Sequence, residues 1–410
     1  MVVFRPGGGT EKLSASERMT MTHWLTLMAA TVLALAPQIA LAEAPVAITY
    51  LRAEVDRPPV LSNLDPIPED LGLAGAEVAL KDNQTTGQFL GHDYQMAVHS
   101  VEPGGDLLAA ARSALAQSRL ILIDAPAPQI LAVADLPEAQ GALLFNVASG
   151  AAALRSADCR ANLLHTLPED SARTDALMQV LAEKQWQRLV MIVGATADDQ
   201  AFADHLRRSA TKFGLSIDAE KAWTFDTDLR DSTMQEIPRF TQDFPDHDVM
   251  LVADPTDDFG RYVEHNTWLP RPVAGTEGLH PEAWAPVIEA WGAVQLQNRF
   301  EDHARRAMRG QDYAAWAAIR AIGEAVTRTN SADPASLRSY MLGPDFTLDG
   351  FKGRALSFRH WNGQLRQPIA VVNDRALVTL APLPAFLHQR NEMDSLGLDQ
   401  PESACTEFTE

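Results

Sequence analysis

The sequence has few cysteines and few basic residues, and each shortage excludes a class of protein. Two cysteines among 410 residues cannot build a disulfide-rich scaffold or a cysteine-rich zinc site. The 34 lysines and arginines are outnumbered by 54 aspartates and glutamates, and the net charge of -20 argues against binding to nucleic acids or anionic lipids. Hydrophobic residues at 46% and charged residues at 21% indicate a globular chain rather than a disordered or collagen-like one.

Long apolar runs are also missing, and the one candidate lies near the start of the chain. Residues 24–36 read WLTLMAATVLALA, a run too short to cross a bilayer, and the A-x-A cleavage pattern Ala40-Leu41-Ala42 follows it. We predict that residues 1–42 are a secretory signal peptide, with an uncleaved anchor helix as the alternative. The chain from Glu43 onwards is therefore expected to be free in an oxidising compartment.

The two cysteines are Cys159 and Cys405. An even number of cysteines in an exported chain predicts one disulfide, which would hold the C-terminal tail on the first lobe. Two separate buried thiols are the alternative. A disulfide across so long a loop would stabilise the fold by roughly 2–4 kcal/mol.

None of the common catalytic and cofactor motifs occurs. The sequence has no G-x-S-x-G, G-x-G-x-x-G, Walker loop, H-E-x-x-H or EF-hand loop, and its 11 histidines are scattered. Asp254, Asp257 and Asp258 form a carboxylate cluster that could support acid–base chemistry. We prefer the interpretation that they are charges at a helix N-terminus, which the helix dipole favours. The sequence thus predicts neither an enzyme nor a metal or catalytic cofactor.

Apolar runs alternate with segments of helical period along the whole chain. Strands are predicted at 46–51, 94–101, 120–123, 142–147, 189–193, 249–253 and 273–275, with helices between them and at 284–309 and 313–328. This alternation predicts an α/β fold of parallel sheets with helices on both faces. The length exceeds that of one ordinary domain, so two lobes are expected. The pair Asn362-Gly363 predicts a late hairpin.

Three segments resemble type I periplasmic solute-binding proteins of the Leu/Ile/Val-binding class. Residues 162–170, with the helix and strand that follow, resemble the start of that family's second lobe; residues 312–324 resemble a late helix, and 348–363 its closing segment. The resemblance implies a two-lobed fold with a hinged cleft. It divides the chain into lobe 1 (43–167 plus 275–345), lobe 2 (168–274 plus 346–390) and a C-terminal tail (391–410).

A narrower resemblance points to one subfamily. Residues 61–66, 69–74, 158–162 and 386–391 resemble the group associated with pyrroloquinoline-quinone (PQQ)-dependent alcohol dehydrogenase systems. This implies a monomeric receptor that binds PQQ and works with an ABC transporter permease. A sensor or scaffold of the alcohol oxidation system, or a receptor for another small anionic or amino-acid-like solute, is the alternative. Residues 124–127 and 194–199 depart from the amino-acid binders, which argues against an amino-acid ligand.

The candidate ligand-binding residues follow from the implied topology. In open parallel sheets, ligands bind beyond the carboxyl ends of the strands. Arginine can pair with a carboxylate and tryptophan can stack on a flat ring, so Arg52 and Trp223 are the first candidates, with surface charge and core packing as the alternatives. The predicted site residues are Arg52, Asp124, Asn146, Ser149, Thr196, Trp223, Asp254 and Arg271, with Arg155, Arg160, Trp284 and Trp291 as further candidates.

Overall fold

The computed structural model describes residues 44–55, 67–224 and 233–408. The predicted signal peptide at 1–42 and the motif segment at 61–66 therefore lie outside the described residues. Within the described ranges, no helix has both the length and the apolar character needed to cross a membrane.

Five parallel strands form the first sheet, in the order β2-β1-β3-β4-β5. Their bounds are β1 Ala44–Ala53, β2 His92–Val101, β3 Leu120–Asp124, β4 Leu143–Asn146 and β5 Leu163–His165. Every residue of β3 and β4 is buried. Helices cover both faces of a parallel sheet, so its central strands read as continuous apolar runs, as the sequence predicts here.

Helices from two parts of the chain pack on this sheet. They are α1 Leu73–Leu90, α2 Leu107–Gln117 and α3 Ala127–Ala134, and later in the chain α7 Ala293–Ala304, α8 Gly310–Thr329 and α9 Pro334–Leu342. Helix α8 lies close along α1, because glycines remove the side chains that would separate them. A Cβ added at Gly75 would lie 1.9 Å from the carbonyl oxygen of Asp312.

The second sheet has four parallel strands, in the order β7-β6-β8-β9. The elements of this part are α4 Asp170–Glu183, β6 Arg188–Val193, α5 Ala197–Lys212, β7 Ser216–Ala222, α6 Thr233–Thr241, β8 Val249–Ala253 and β9 Val273–Gly275. Helix α5 starts with a capping box formed by Thr196 and Asp199. It ends before Gly214, whose φ of 71° supplies the left-handed turn that the sequence predicts there.

Short antiparallel strands complete the fold. They are β10 His280–Glu282, β11 Leu348–Asp349, β12 Ala355–Phe358, β13 Leu365–Arg366, β14 Ile369–Asn373 and β15 Ala376–Ala381. Alternate side chains of β14 pack in different hydrophobic cores. Ala370 and Val372 lie in the core of the first sheet. Ile369 and Val371 lie in the core of the second sheet. Strand β14 therefore packs between the two sheets.

Cys159 and Cys405 form a disulfide, as predicted, with their Cα atoms 5.6 Å apart. The bond joins the chain end to the segment between β4 and β5. The proposed lobe boundaries stay predictions.

Two sequence predictions need correction. The helix predicted at 284–309 is helical only from Ala293 to Ala304. Trp291 and Gly292 have φ values of 55° and 80°, which a right-handed helix cannot contain. In the predicted hairpin, Phe358 pairs with Leu365, so Asn362-Gly363 lies in the longer connection 359–364 and not in a two-residue turn.

Candidate functional site

The carboxyl ends of β1, β3 and β4 bring three predicted site residues to one edge of the first sheet. The parallel register places Arg52 opposite Asp124 and Ile123 opposite Asn146. The sequence predicts that these residues end strands, and the structure shows that the three strands are neighbours in the sheet.

Arg52 and Asp124 are paired with each other at this edge. The Nε atom of Arg52 lies 3.6 Å from Oδ2 of Asp124, and the two side chains are 11% and 10% exposed. The guanidinium of Arg52 also donates to the carbonyl oxygen of Glu69. A ligand carboxylate would have to share the positive charge of Arg52 with Asp124.

Two further donors hold the Asp124 carboxylate. The Tyr50 hydroxyl donates to its Oδ2 at 2.8 Å, and Nε2 of Gln311 donates to its Oδ1 at 2.7 Å. Burial, followed by the charge of Asp124, raises the pKa of Tyr50 well above its usual value, so the hydroxyl keeps its proton. Gln311, at the start of α8, has no signal in the sequence that links it to this edge.

Asn146 shapes the loop after β4. The side chain is fully buried. Its Nδ2 donates to the carbonyl oxygen of Ser149 at 2.8 Å, and its Oδ1 accepts from the backbone N of Ser149 at 2.8 Å and of Ala148 at 3.2 Å. Ser149 is half-buried, and its Oγ accepts from the backbone N of Ala151 at 3.3 Å. These atoms order the loop next to Asp124.

Of the further arginine candidates, Arg155 and Arg160 both have internal partners. Arg155 is fully buried and donates to the carbonyl oxygens of Ser149 and Leu167, each at 2.8 Å. Burial lowers its pKa to about 10, which leaves it charged at neutral pH. Arg160 pairs with Asp135. Arg155 thus links the loop after β4 to the segment that enters α4.

At the carboxyl edge of the second sheet, Thr196 is exposed and caps α5. Its Oγ1 accepts from the backbone N of Asp199 at 3.2 Å.

Trp223 follows β7 and is 5% exposed. It stacks on Phe259, with ring centroids 4.5 Å apart, and contacts Phe240 edge-on. One face of Trp223 is therefore already covered, as in the core-packing alternative.

The Asp254 carboxylate holds the loop that follows β8. It accepts from the backbone N atoms of Phe259 and Gly260 at 2.8 and 2.7 Å. Glu277 lies nearby, and burial, followed by the charges of Asp257 and Asp254, raises its pKa to about 8. This edge is acidic, and Glu277 has no signal in the sequence that assigns it to the site.

Arg271 lies away from these residues. It precedes β9, and so stands at the amino end of a parallel strand rather than the carboxyl end. Its Nη2 pairs with Oδ1 of Asp246 at 3.0 Å, and both side chains are exposed. We leave Arg271 out of the candidate site for this reason.

The site holds no arrangement for a metal. In the described ranges, no group of three or more histidine, cysteine, aspartate or glutamate side chains is placed to bind a metal ion.

No protein-family model matches the sequence, and no curated protein matches it. Solved structures do match the fold. A branched-chain amino acid ABC transporter periplasmic ligand-binding protein from Burkholderia xenovorans is 14% identical, with a TM-score of 0.66 over 89% of this chain and 100% of that one. The chain has the two-lobed periplasmic binding protein fold.

Two more structures extend the comparison. The Leu-, Ile-, Val-, Thr- and Ala-binding protein from Brucella ovis, in a closed conformation, is 13% identical, with a TM-score of 0.65 over 88% of this chain and 99% of that one. A solute-binding protein of an ABC transporter from Rhodopseudomonas palustris, in complex with 3,4-dihydroxybenzoic acid, is 11% identical, with a TM-score of 0.59 over 80% of this chain and 93% of that one. At these identities the comparison establishes the fold alone.

Proposed function

We propose that this chain is a periplasmic solute receptor of an ABC importer and is not an enzyme. The fold match to ABC transporter ligand-binding proteins, which covers 89% of this chain in one case, is the observation that carries the proposal. The disulfide supports an oxidising compartment, in agreement with the predicted signal peptide. We further propose that the chain acts as a monomer, divided as lobe 1 (43–167 plus 275–345) and lobe 2 (168–274 plus 346–390).

The proposed binding site lies between the carboxyl edges of the two sheets. Arg52 and Asp124 form its wall on the first sheet, with the loop that Asn146 orders beside them. Thr196, Trp223 and Asp254 stand at the corresponding edge of the second sheet. Ligands bind beyond the carboxyl ends in open parallel sheets, and two facing edges can close on a solute by hinge bending.

PQQ, which the sequence motifs indicate, is the first ligand to test. Arg52 is the side chain best placed to pair with one of its carboxylates. The charges at the two edges also favour a second candidate, a small solute with a single carboxylate. Asp124 already shares the guanidinium of Arg52, and Asp254 and Asp257 bring negative charge to the carboxyl edge of the second sheet. A ligand with three carboxylates would meet more repulsion there than a ligand with one.

A thermal-shift experiment on protein freed of bound solute distinguishes the two candidates. A ligand at 100 times its dissociation constant stabilises the folded state by about 2.7 kcal/mol, which raises the melting temperature measurably. PQQ, leucine and 3,4-dihydroxybenzoate are added separately. If PQQ leaves the melting temperature unchanged while one of the others raises it, the ligand assignment fails and the receptor proposal stands. If no solute raises it and nothing co-purifies, the receptor proposal fails.

A further inference from the structure

The chain end folds back across the molecule instead of leaving it. We call residues 391–408 the C-terminal strap. They follow β15 and the short turn at Pro384–Phe386, and they end beside the first sheet. Side chains from three parts of the fold hold them in turn.

The first contacts are with helices of the second sheet. Asp175 on α4 is fully buried and accepts from the backbone N of Gly397 at 2.8 Å. Lys212, at the end of α5, donates to Oδ2 of Asp175 at 2.7 Å and to the carbonyl oxygen of Gly397 at 3.0 Å. The strap is thus fixed to both helices by a buried carboxylate and its partner.

The second contacts are with two connecting segments. Residues 166–169 lead from β5 into α4, and residues 359–368 lead from β12 to β14. Glu169, in the first segment, accepts from the backbone N of Leu398 at 2.7 Å.

Asp394 of the strap lies between two arginines of the second connecting segment. Its Oδ1 is 3.0 Å from Nε of Arg359 and 2.7 Å from Nε of Arg366. Arg359 and Asp394 are each 3% exposed on the side chain, so little solvent screens the pair.

The third contacts are with the first sheet. Cys405 is covalently bonded to Cys159. Next to it, Oγ of Ser403 donates to the carbonyl oxygen of Arg155 at 2.8 Å. Phe408 packs against the core of the first sheet.

We propose that the C-terminal strap limits how far the two sheets can move apart. The strap is bonded covalently beside the first sheet through Cys405, and its Gly397 is hydrogen-bonded to Asp175 and Lys212 beside the second, so the distance it can span is limited. Between these two ends, Glu169, Arg359 and Arg366 contact the middle of the strap. The two sheets can move further apart than this only if the contacts of Asp175 and Asp394 break. The inference rests on the two-lobed fold of the proposed receptor and not on the identity of its solute.

The test removes the covalent anchor and measures the ligand-free protein. The double variant Cys159→Ser/Cys405→Ser is compared with the wild type by small-angle X-ray scattering and by hydrogen–deuterium exchange. We expect a larger radius of gyration, and exchange at least tenfold faster at the backbone amides of Gly397 and Leu398. If the double variant does not fold, the same two measurements are made on wild-type protein reduced with dithiothreitol after folding.

A matched control separates strap release from general loss of stability. Leu337→Ala removes a fully buried side chain on α9 that lies outside the strap, so it lowers stability while leaving the strap anchored. It should leave the radius of gyration and the exchange of Gly397 and Leu398 at their wild-type values. An unchanged radius of gyration in the disulfide-free protein, with or without faster exchange, would overturn the proposal. Because no solute is added, this result is independent of whether the receptor proposal holds.

Discussion

Asp124 contacts three side chains at the carboxyl edge of the first sheet. It accepts hydrogen bonds from Tyr50 and Gln311 and pairs with Arg52, in surroundings that are largely closed to water. The sequence indicates that Arg52 and Asp124 lie at carboxyl ends of strands, because the βα order places both at one edge. It does not reveal that they pair with each other, since that depends on the register between β1 and β3. For the same reason it does not reveal that Phe259 covers one face of Trp223.

Replacing Asp124 with Asn should cost about 3 kcal/mol of unfolding free energy, because it leaves the positive charge of Arg52 without its buried partner. Urea unfolding followed by circular dichroism measures the change. The control is Asp246→Asn, whose ion pairs with Arg188 and Arg271 are exposed to solvent, so its loss of stability should be much smaller. Equal losses in the two variants would contradict the account of this edge.

Glu277 should make stability depend on pH. Its pKa is raised to about 8 in the folded protein from an ordinary value of 4.5. Between these two pH values the folded state binds more protons than the unfolded state, so the contribution of Glu277 to stability falls as the pH rises. Urea unfolding at pH 5 and pH 9 should show Glu277→Gln gaining stability relative to the wild type at pH 9. A stability difference between Glu277→Gln and the wild type that is the same at both pH values would count against the raised pKa.

Among the elements, the strands follow the sequence more closely than the long helix does. Continuous apolar runs at β3, β6 and β8 predict buried parallel strands, because helices cover both faces of such a sheet. The helix predicted at 284–309 is too long because Trp284 and Ile288 are apolar at helical spacing but pack on the first core from an irregular segment. The spacing of apolar residues indicates which side chains are buried. It does not indicate the left-handed backbone at Trp291, which a continuous helix cannot contain.

The contact of α1 with α8 gives a prediction at this scale. Gly75→Ala places a Cβ against the backbone of Asp312, which cannot move aside as a flexible side chain could, and should cost about 1–3 kcal/mol of unfolding free energy. Gly343→Ala is the control, because its φ of -78° suits alanine and its nearest atoms are 3.3 Å from the added Cβ. Thermal unfolding should rank Gly75→Ala as the less stable variant, and the reverse order would refute the close packing.

Across the whole molecule, sequence and structure agree on the class of fold and differ on the details of the site. The repeated βα order and the chain length predict two lobes with parallel sheets, and the even number of cysteines in an exported chain predicts the disulfide that the structure contains. The sequence places Arg271 with the site residues, although it stands at the amino end of β9 and pairs with Asp246. The partners of Asp124 and the contacts of the strap join residues that are far apart in the chain, so no local pattern indicates them.

The most direct test of the receptor proposal is calorimetric titration of the solute-free protein with the solute that raises its melting temperature. We expect one molecule per chain, and binding at least tenfold weaker in Arg52→Lys, which keeps the charge beside Asp124 but loses the planar guanidinium. Arg271→Lys, on the opposite edge of the second sheet, should bind as the wild type does. No heat of binding from any of the three solutes, or equal affinity in the wild type and Arg52→Lys, would contradict the proposed site.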